Sequence, residues 1–243
     1  MKIINFFILT VLILLVTSCF DSKQKGVRID GKTMGTYYSI NIVDLPKNIS
    51  RQDLQFEITK TLDEVNKKLS NWDSFSEVSL LNQKKTTLPI NISKDLFNII
   101  YAANEIHLQS KGFLDLTIDP LIELWGFGYK NKKKKVPKDI DIKNALKLVN
   151  QIKMLKLDPE NLSIIKLNKN VSINLSSIAK GYGIDIIGKK FNKLGINNYL
   201  IDIGGDILTQ GFNNVKKDWV IGIENPNLNK KLIKEIVNIT NKG

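Results

Sequence analysis

The sequence predicts an α+β domain in which mixed β-sheets pack with helices. Two patterns predict this class: apolar residues recur at helical spacing in three long segments, and they alternate with polar residues in several short ones. No internal repeat and no convincing linker divides the chain, so residues 28–243 are expected to form one domain. With 42% apolar residues, the chain can build a sizeable core.

The first 18 residues have the pattern of an export signal. Lys2 precedes an apolar stretch, residues 3–16, which is too short to remain as a membrane span, and the sequence VTSC then ends at Cys19. This ending is typical of a bacterial lipoprotein signal, so we expect residues 1–18 to be removed and Cys19 to be lipidated. An ordinary signal or a buried thiol is the alternative. Residues 19–27 are then the lipid anchor and tether, and the protein is exported and held at a bacterial membrane, on its periplasmic or outer face.

Residues 27–43 alternate in the manner of β-strands, and Met34-Gly35-Thr36 interrupts the alternation. We predict a strand, a glycine-containing kink and a second strand. An amphipathic helix follows at residues 51–70, with Ser50 or Asp53 available to cap its start.

A second helix is predicted at residues 93–110, with Ile106 on its inward face and Gly112 just beyond its end. His107 on this helix is expected to be a surface or half-buried structural residue. The third long helix is predicted at residues 177–194.

Shorter elements fill the remainder of the chain. The predicted elements are a helix at 141–148 and strands at 153–157, 163–167, 171–175, 199–203 and 219–223. A Gly204-Gly205-Asp206 turn follows the strand at 199–203.

Several loops combine aromatic, glycine and carboxylate residues. Such loops can sandwich planar ligands, because aromatic rings offer stacking faces and glycines permit close approach. For Trp72, in the loop at 69–73, and Asp115, in the loop at 112–128, we expect ligand contacts. Trp125 and Phe127 are expected to pack in the core.

In the segment from Ile173 to Asp185, a predicted strand ends at small polar residues and a predicted helix begins directly after it. Free backbone N–H groups at such a helix start can bind phosphate. The glycine turn at Gly204 lies at another strand end, where ligand crevices of α/β proteins commonly form.

Six stretches in order, MGTYYSI, LSNWDSFSEVSLLN, GFLDLTIDPLIELWGFG, INLSSIAKGYGID, YLIDIGGDI and WVIGIENP, resemble the ApbE family of FAD:protein FMN transferases. The resemblance covers about residues 30–226. It implies a magnesium-dependent reaction that splits the pyrophosphate of FAD, transfers FMN to a threonine or serine hydroxyl of a partner protein and releases AMP. The implied partners are FAD and flavin-acceptor proteins, among them subunits of membrane redox complexes.

The resemblance also implies the site residues. Flavin contacts fall on Met34, Trp72, Phe113, Leu114, Asp115 and Asn174, and a Mg²⁺ contact falls on Ser177. Asn82 is a weaker candidate for the same pocket, and no catalytic residue is assigned. The family usually has aspartate at the position of Asn174, so one negative charge is missing here.

Family members continue beyond the segment that matches WVIGIENP with residues that complete the magnesium site. We therefore expect the 243-residue chain to be C-terminally truncated and to transfer no FMN by itself. The alternative function is a flavin-binding lipoprotein that holds FAD without chemistry.

The formal net charge of +12 could suggest a nucleic-acid partner. Export argues against one, and the lysine excess, densest at residues 130–135, is expected to be a solvated loop.

Overall fold

The computed structural model of the chain describes residues 26–128, 136–226 and 232–243. The predicted export signal, Cys19, most of the tether and the lysine-rich run at 130–135 lie outside the described residues. Within the described ranges, no helix has both the length and the apolar character needed to cross a membrane.

The described residues form nine strands, seven α-helices and one 3-10 helix. The strands are β1 (Val27–Thr33), β2 (Thr36–Ile42), β3 (Ile90–Asn91), β4 (Leu155–Asp158), β5 (Ser163–Lys166), β6 (Tyr199–Ile203), β7 (Asp206–Gln210), β8 (Trp219–Glu224) and β9 (Ile233–Ile239). The helices are α1 (Arg51–Leu69), α2 (Glu77–Gln83), α3 (Lys94–Gln109), α4 (Asp119–Leu124), α5 (Asp139–Leu146), α6 (Gln151–Met154) and α7 (Ala179–Lys193), and a 3-10 helix spans Leu116–Ile118. The predicted α+β class is confirmed.

The main sheet has four antiparallel strands in the order β1-β2-β6-β7. Thr33 pairs with Thr36, so the connection between β1 and β2 is a two-residue turn made of Met34 and Gly35. Both turn residues have positive φ, +48° and +73°, as the hairpin turns that match strand twist require. The predicted kink is therefore a tight hairpin turn.

Helices α1 and α7 each pack into both of the hydrophobic cores formed by the described residues. Ile58 of α1 and Ile187 of α7 lie in the core beneath the main sheet. Leu69, at the end of α1, and Ala179, at the start of α7, lie in the second core. The N-terminus of α1 is capped as predicted, because the Asp53 amide donates to Ser50 Oγ at 3.0 Å.

The second core surrounds helix α3 and a three-stranded sheet in the order β3-β5-β4. The expectation that Ile106 faces inward is wrong, because its side chain is 44% exposed. His107 occupies the buried position instead, and its Nδ1 lies 2.7 Å from the Leu114 carbonyl, to which it can donate. This hydrogen bond offsets the cost of burying the imidazole.

The predicted strand at residues 171–175 is wrong. The segment is extended, with Ile173 and Leu175 fully buried, but no strand among the described residues pairs with it. Side-chain amides of Asn71 and Asn82 bond to its backbone instead. Because these amides satisfy the buried peptide groups, the segment needs no neighbouring strand.

Other boundaries differ from those expected. A short helix, α6, replaces the first half of the strand predicted at 153–157, because Asn150 caps it by accepting from the Lys153 amide. The loop predicted at 112–128 contains the 3-10 helix and α4, in which Pro120 occupies the first turn. Helix α5 begins at Asp139 rather than at residue 141. Helix α2 and strands β3, β7 and β9 were not predicted.

Candidate functional site

A cleft of about 210 Å³ opens where the two hydrophobic cores meet. Four pieces of chain converge there: the β1–β2 turn, the end of α1, the start of α7 and the turn after β6. Its lining includes Met34, Thr36, Leu69, Trp72, Lys180 and Gly204. The cleft is thus built from elements that are distant in sequence and that the two cores hold in place.

The hairpin turn brings Met34 to this cleft. Met34 adopts φ +48°, a region that few non-glycine residues populate, and its side chain packs against α7. A Cβ atom at Gly183 would lie 3.1 Å from the Met34 methyl carbon, so the glycine leaves room for this contact. The turn therefore fixes a flexible, polarisable side chain at the cleft wall.

The glycine turn after β6 forms another wall. Gly204 has φ +58°, and a Cβ atom there would lie 2.8 Å from Thr36 Cγ2. A larger residue would clash with the Thr36 side chain and would also be strained at this φ, so glycine suits both the conformation and the close approach.

A second cavity, of about 330 Å³, adjoins the first around Trp72. Asn71, Trp72 and Ser176 line both spaces, and Phe127 and Asn174 line the second. The expectation that Trp125 and Phe127 pack in the core is wrong, since they are 39% and 64% exposed. Phe127 instead lines the cavity that Trp72 also lines, so the two cavities present aromatic surface suited to a planar ligand.

The N-terminus of α7 meets the first cleft. Its cap position, Ile178, makes no side-chain capping bond. Lys180, in the first turn, lies 3.1 Å from the Asp206 carboxylate and 3.4 Å from the Gly204 carbonyl. The backbone amides of Ile178 and Ala179 donate to the Leu175 carbonyl at 3.0 and 2.8 Å. The next N–H groups of this turn and the Lys180 ammonium together favour a bound anion, although a cation in a first turn by itself opposes the helix macrodipole.

A polar cluster behind the cleft joins α1, α3 and α7. Lys68 donates to the Asp95 carboxylate, and the Tyr182 hydroxyl donates to it at 2.9 Å. The bond from Lys68 lowers the pKa of Asp95 below its usual value. Burial and the neighbouring Asp95 raise the pKa of Tyr182 to about 12. Tyr182 therefore stays protonated near neutral pH and keeps the first turns of α7 tied to the other two helices.

Comparison with known families identifies the chain. The model of the ApbE family matches residues 34–243. The chain belongs to the ApbE family. Membership makes it an enzyme of the transferase class and confirms the resemblance predicted from the sequence.

Curated relatives of this ApbE chain are FAD:protein FMN transferases. The protein from Vibrio cholerae is 33% identical over 233 residues, covering 96% of this chain and 69% of the relative. The protein from Haemophilus influenzae is 31% identical, covering 100% of this chain and 71% of the relative. The solved flavin transferase ApbE of Vibrio cholerae superposes with a TM-score of 0.82 at 32% identity, covering 89% of this chain and 69% of that structure.

Three of the residues predicted to contact flavin are brought together: Met34 and Trp72 line the first cleft, and Trp72 and Asn174 line the second. Asn174 is buried; its amide donates to the Asp119 carboxylate at 2.9 Å, and its oxygen accepts from the Ser176 amide at 3.0 Å. An aspartate at position 174 would place two carboxylates in contact. The buried Asp119 thus gives a physical reason why this ApbE chain has asparagine there.

The other three predicted flavin residues, Phe113, Leu114 and Asp115, lie on a neighbouring loop that lines neither cavity. Phe113 is 95% exposed, and Leu114 packs against the second core. The Asp115 carboxylate accepts from the amides of Thr117 and Gln151, so within the described residues it shapes the loop.

Ser177, the predicted metal contact, lies exposed two residues before the start of α7 and next to the cleft residue Ser176. Among the described residues, no three His, Cys, Asp or Glu side chains are grouped to hold a metal ion. A Mg²⁺ ion that takes most of its oxygen ligands from phosphate and water would still fit the Ser177 hydroxyl. Asn82 lines a third cavity, with Asp119 and Ser172, which shares Glu123 with the second cavity.

Sequence reasoning missed Lys180, Asn71 and Ser176 as cleft residues. Lys180 had a signal, because a lysine in the first turn of a helix is unfavourable unless an anion compensates it. Asn71 and Ser176 had none, because short polar residues between elements are ordinary in loops.

Proposed function

We propose that this ApbE chain binds FAD and transfers its FMN part to a threonine or serine hydroxyl of a partner protein, with Mg²⁺ and with release of AMP. The observation that carries the proposal is the meeting of aromatic and anion-binding surfaces: Trp72 and Phe127 adjoin the uncapped start of α7 and Lys180. FAD combines a planar ring with a pyrophosphate, so it needs both surfaces. The curated relatives, which are FAD:protein FMN transferases, support the same substrate.

In the proposed reaction, the acceptor hydroxyl oxygen attacks the phosphorus that carries the riboflavin part. A new P–O bond forms, the P–O bond to the AMP part breaks, and the hydroxyl proton is released. The Lys180 ammonium and the backbone N–H groups of Lys180 and Gly181 bind the pyrophosphate and stabilise negative charge as it shifts to the leaving phosphate. A Mg²⁺ ion at the Ser177 hydroxyl would neutralise further phosphate charge when bound.

The reaction is tested on protein expressed from the whole open reading frame, incubated with FAD, Mg²⁺ and an acceptor peptide that contains one threonine. We expect a fluorescent peptide band on a denaturing gel and one AMP for each peptide labelled. The matched control is the same peptide with valine in place of threonine. Binding of FAD without labelling would favour the flavin-holding alternative, and lack of FAD binding would reject both.

We also propose that the protein is exported and anchored to a bacterial membrane through Cys19, where flavin-acceptor subunits of membrane redox complexes are its partners. The motif that ends at Cys19 supports this placement. Cys19→Ala should shift the protein from the membrane fraction to a soluble or unprocessed form. Unchanged fractionation of that variant would contradict the anchor.

A further inference from the structure

The segment at residues 172–176 supplies Asn174 and Ser176 to the cavities, yet it belongs to no sheet among the described residues. A segment of this kind needs some other constraint if its side chains are to keep a fixed place. The constraint is visible in its hydrogen bonds, which come from side chains rather than from a strand.

Asn82, on α2, bonds to both backbone groups of one residue. Its Nδ2 donates to the Ile173 carbonyl at 2.8 Å, and its Oδ1 accepts from the Ile173 amide at 2.8 Å. Two opposite residues in an antiparallel ladder exchange the same pair of bonds. The Asn82 amide therefore takes the place of a strand residue.

Asn71, beside the end of α1, extends the pairing by one step. Its Nδ2 donates to the same Ile173 carbonyl at 2.8 Å, and its Oδ1 accepts from the Leu175 amide at 2.7 Å. The two asparagines thus hold the backbone on both sides of Asn174. The backbone N–H of Asn174 donates to the Leu116 carbonyl at 2.7 Å. This bond links the segment to the loop that contains Phe113 to Asp115.

Because side chains alternate along the segment, the hydrogen bonds from Asn82 and Asn71 determine which way the Asn174 side chain faces. Ile173 and Leu175 are fully buried in the second core, so Asn174 between them faces the other way, toward Asp119 and the cavity. A slip of one residue would exchange these faces and remove the polar group from the cavity wall.

We propose that Asn82 and Asn71 are positioning residues for the flavin site, acting by holding the 172–176 segment in register. Asn82 tests this role more directly than Asn71 does. Asn82 lines neither the first nor the second cavity, and its amide bonds to both backbone groups of Ile173, so its effect on flavin passes through Ile173. Asn71 lines the cleft but commits its amide to the backbone. The inference rests on the proposed binding of FAD.

The test compares Asn82→Leu with Asn198→Leu in the full chain. Asn198 is a matched control: it is also half-buried, and its Oδ1 accepts from a backbone amide, that of Phe212, but it precedes β6 at the end opposite the Gly204 turn. We expect Asn82→Leu to weaken FAD binding about tenfold and to change the visible circular dichroism of bound flavin. Asn198→Leu should lower the melting temperature without either change.

Asn82→Asp provides a second variant if Asn82→Leu does not fold. It keeps the size and the acceptor for the Ile173 amide, and it loses the donor to the Ile173 carbonyl. It should also weaken FAD binding and alter the dichroism. Asn82 variants that melt at lower temperature but retain wild-type FAD affinity and dichroism would overturn the positioning role. A wild-type chain that binds no FAD would instead overturn the proposed function.

Discussion

Replacing Trp72 with alanine should weaken FAD binding, and the solvent-exposed area of the Trp72 side chain gives the expected size of the effect. Trp72 is 57% exposed in the free protein, so of an indole surface of ~250 Å², about 140 Å² is open to solvent. A ring stacked on one face would cover about half of that area, and ~70 Å² at ~25 cal/mol per Å² gives about 1.8 kcal/mol. The dissociation constant should therefore rise about 20-fold.

Titration of flavin fluorescence measures this change directly. Trp72→Phe should retain most of the affinity, because a phenyl ring preserves a stacking face. Phe75→Ala is the matched control, since Phe75 is 83% exposed three residues along the same loop and lines neither cavity. If Trp72→Ala and Phe75→Ala bind FAD with equal affinity, the ring does not stack on Trp72 and the placement of the flavin is refuted.

Two further predictions concern buried polar groups. Burial lowers the pKa of Lys166 to about 8, below its unfolded value, so the unfolded chain binds more protons between those two pH values. The free energy of unfolding of the wild type should therefore rise by about 1.5 kcal/mol from pH 8 to 9.5 relative to Lys166→Met, and urea melts that show no such difference would contradict the shift. Asn174→Asp should place a second carboxyl against buried Asp119 and cost about 2 kcal/mol at pH 7, with a smaller cost at pH 4.5, where one proton can be shared. Equal urea midpoints for this variant and wild type at pH 7 would contradict that contact.

The sequence predicted the elements with a strong period or a clear cap. Helix α1 has both, since its apolar positions recur at helical spacing and Ser50 caps it. The β1–β2 hairpin was also predictable, because Gly35 marks its turn. In contrast, residues 171–175 alternate like a strand but are paired by amides from residues about 90 to 104 positions away, a long-range arrangement that no local pattern encodes.

The candidate site was predictable to the extent that its residues occur in specific motifs. Met34, Trp72 and Asn174 lie in such motifs and meet at the two cavities. Phe127 was assigned to the core because an aromatic residue between glycines gives no sign of which way it faces. The position of Lys180 at the cleft depends on its contacts with Asp206 and Gly204, which only the packing of α7 against the β6–β7 turn determines.

Helices α1 and α7 each contribute residues to both hydrophobic cores, so loss of packing in one core would also disturb the packing of the other. The two halves should therefore unfold in one cooperative transition, although their sheets share no strand. The cleft proposed to bind flavin lies at the junction of these halves, so a ligand there would be linked to the global unfolding equilibrium rather than to a local opening of one half. Amide exchange at the centres of both cores should then slow together as FAD is added.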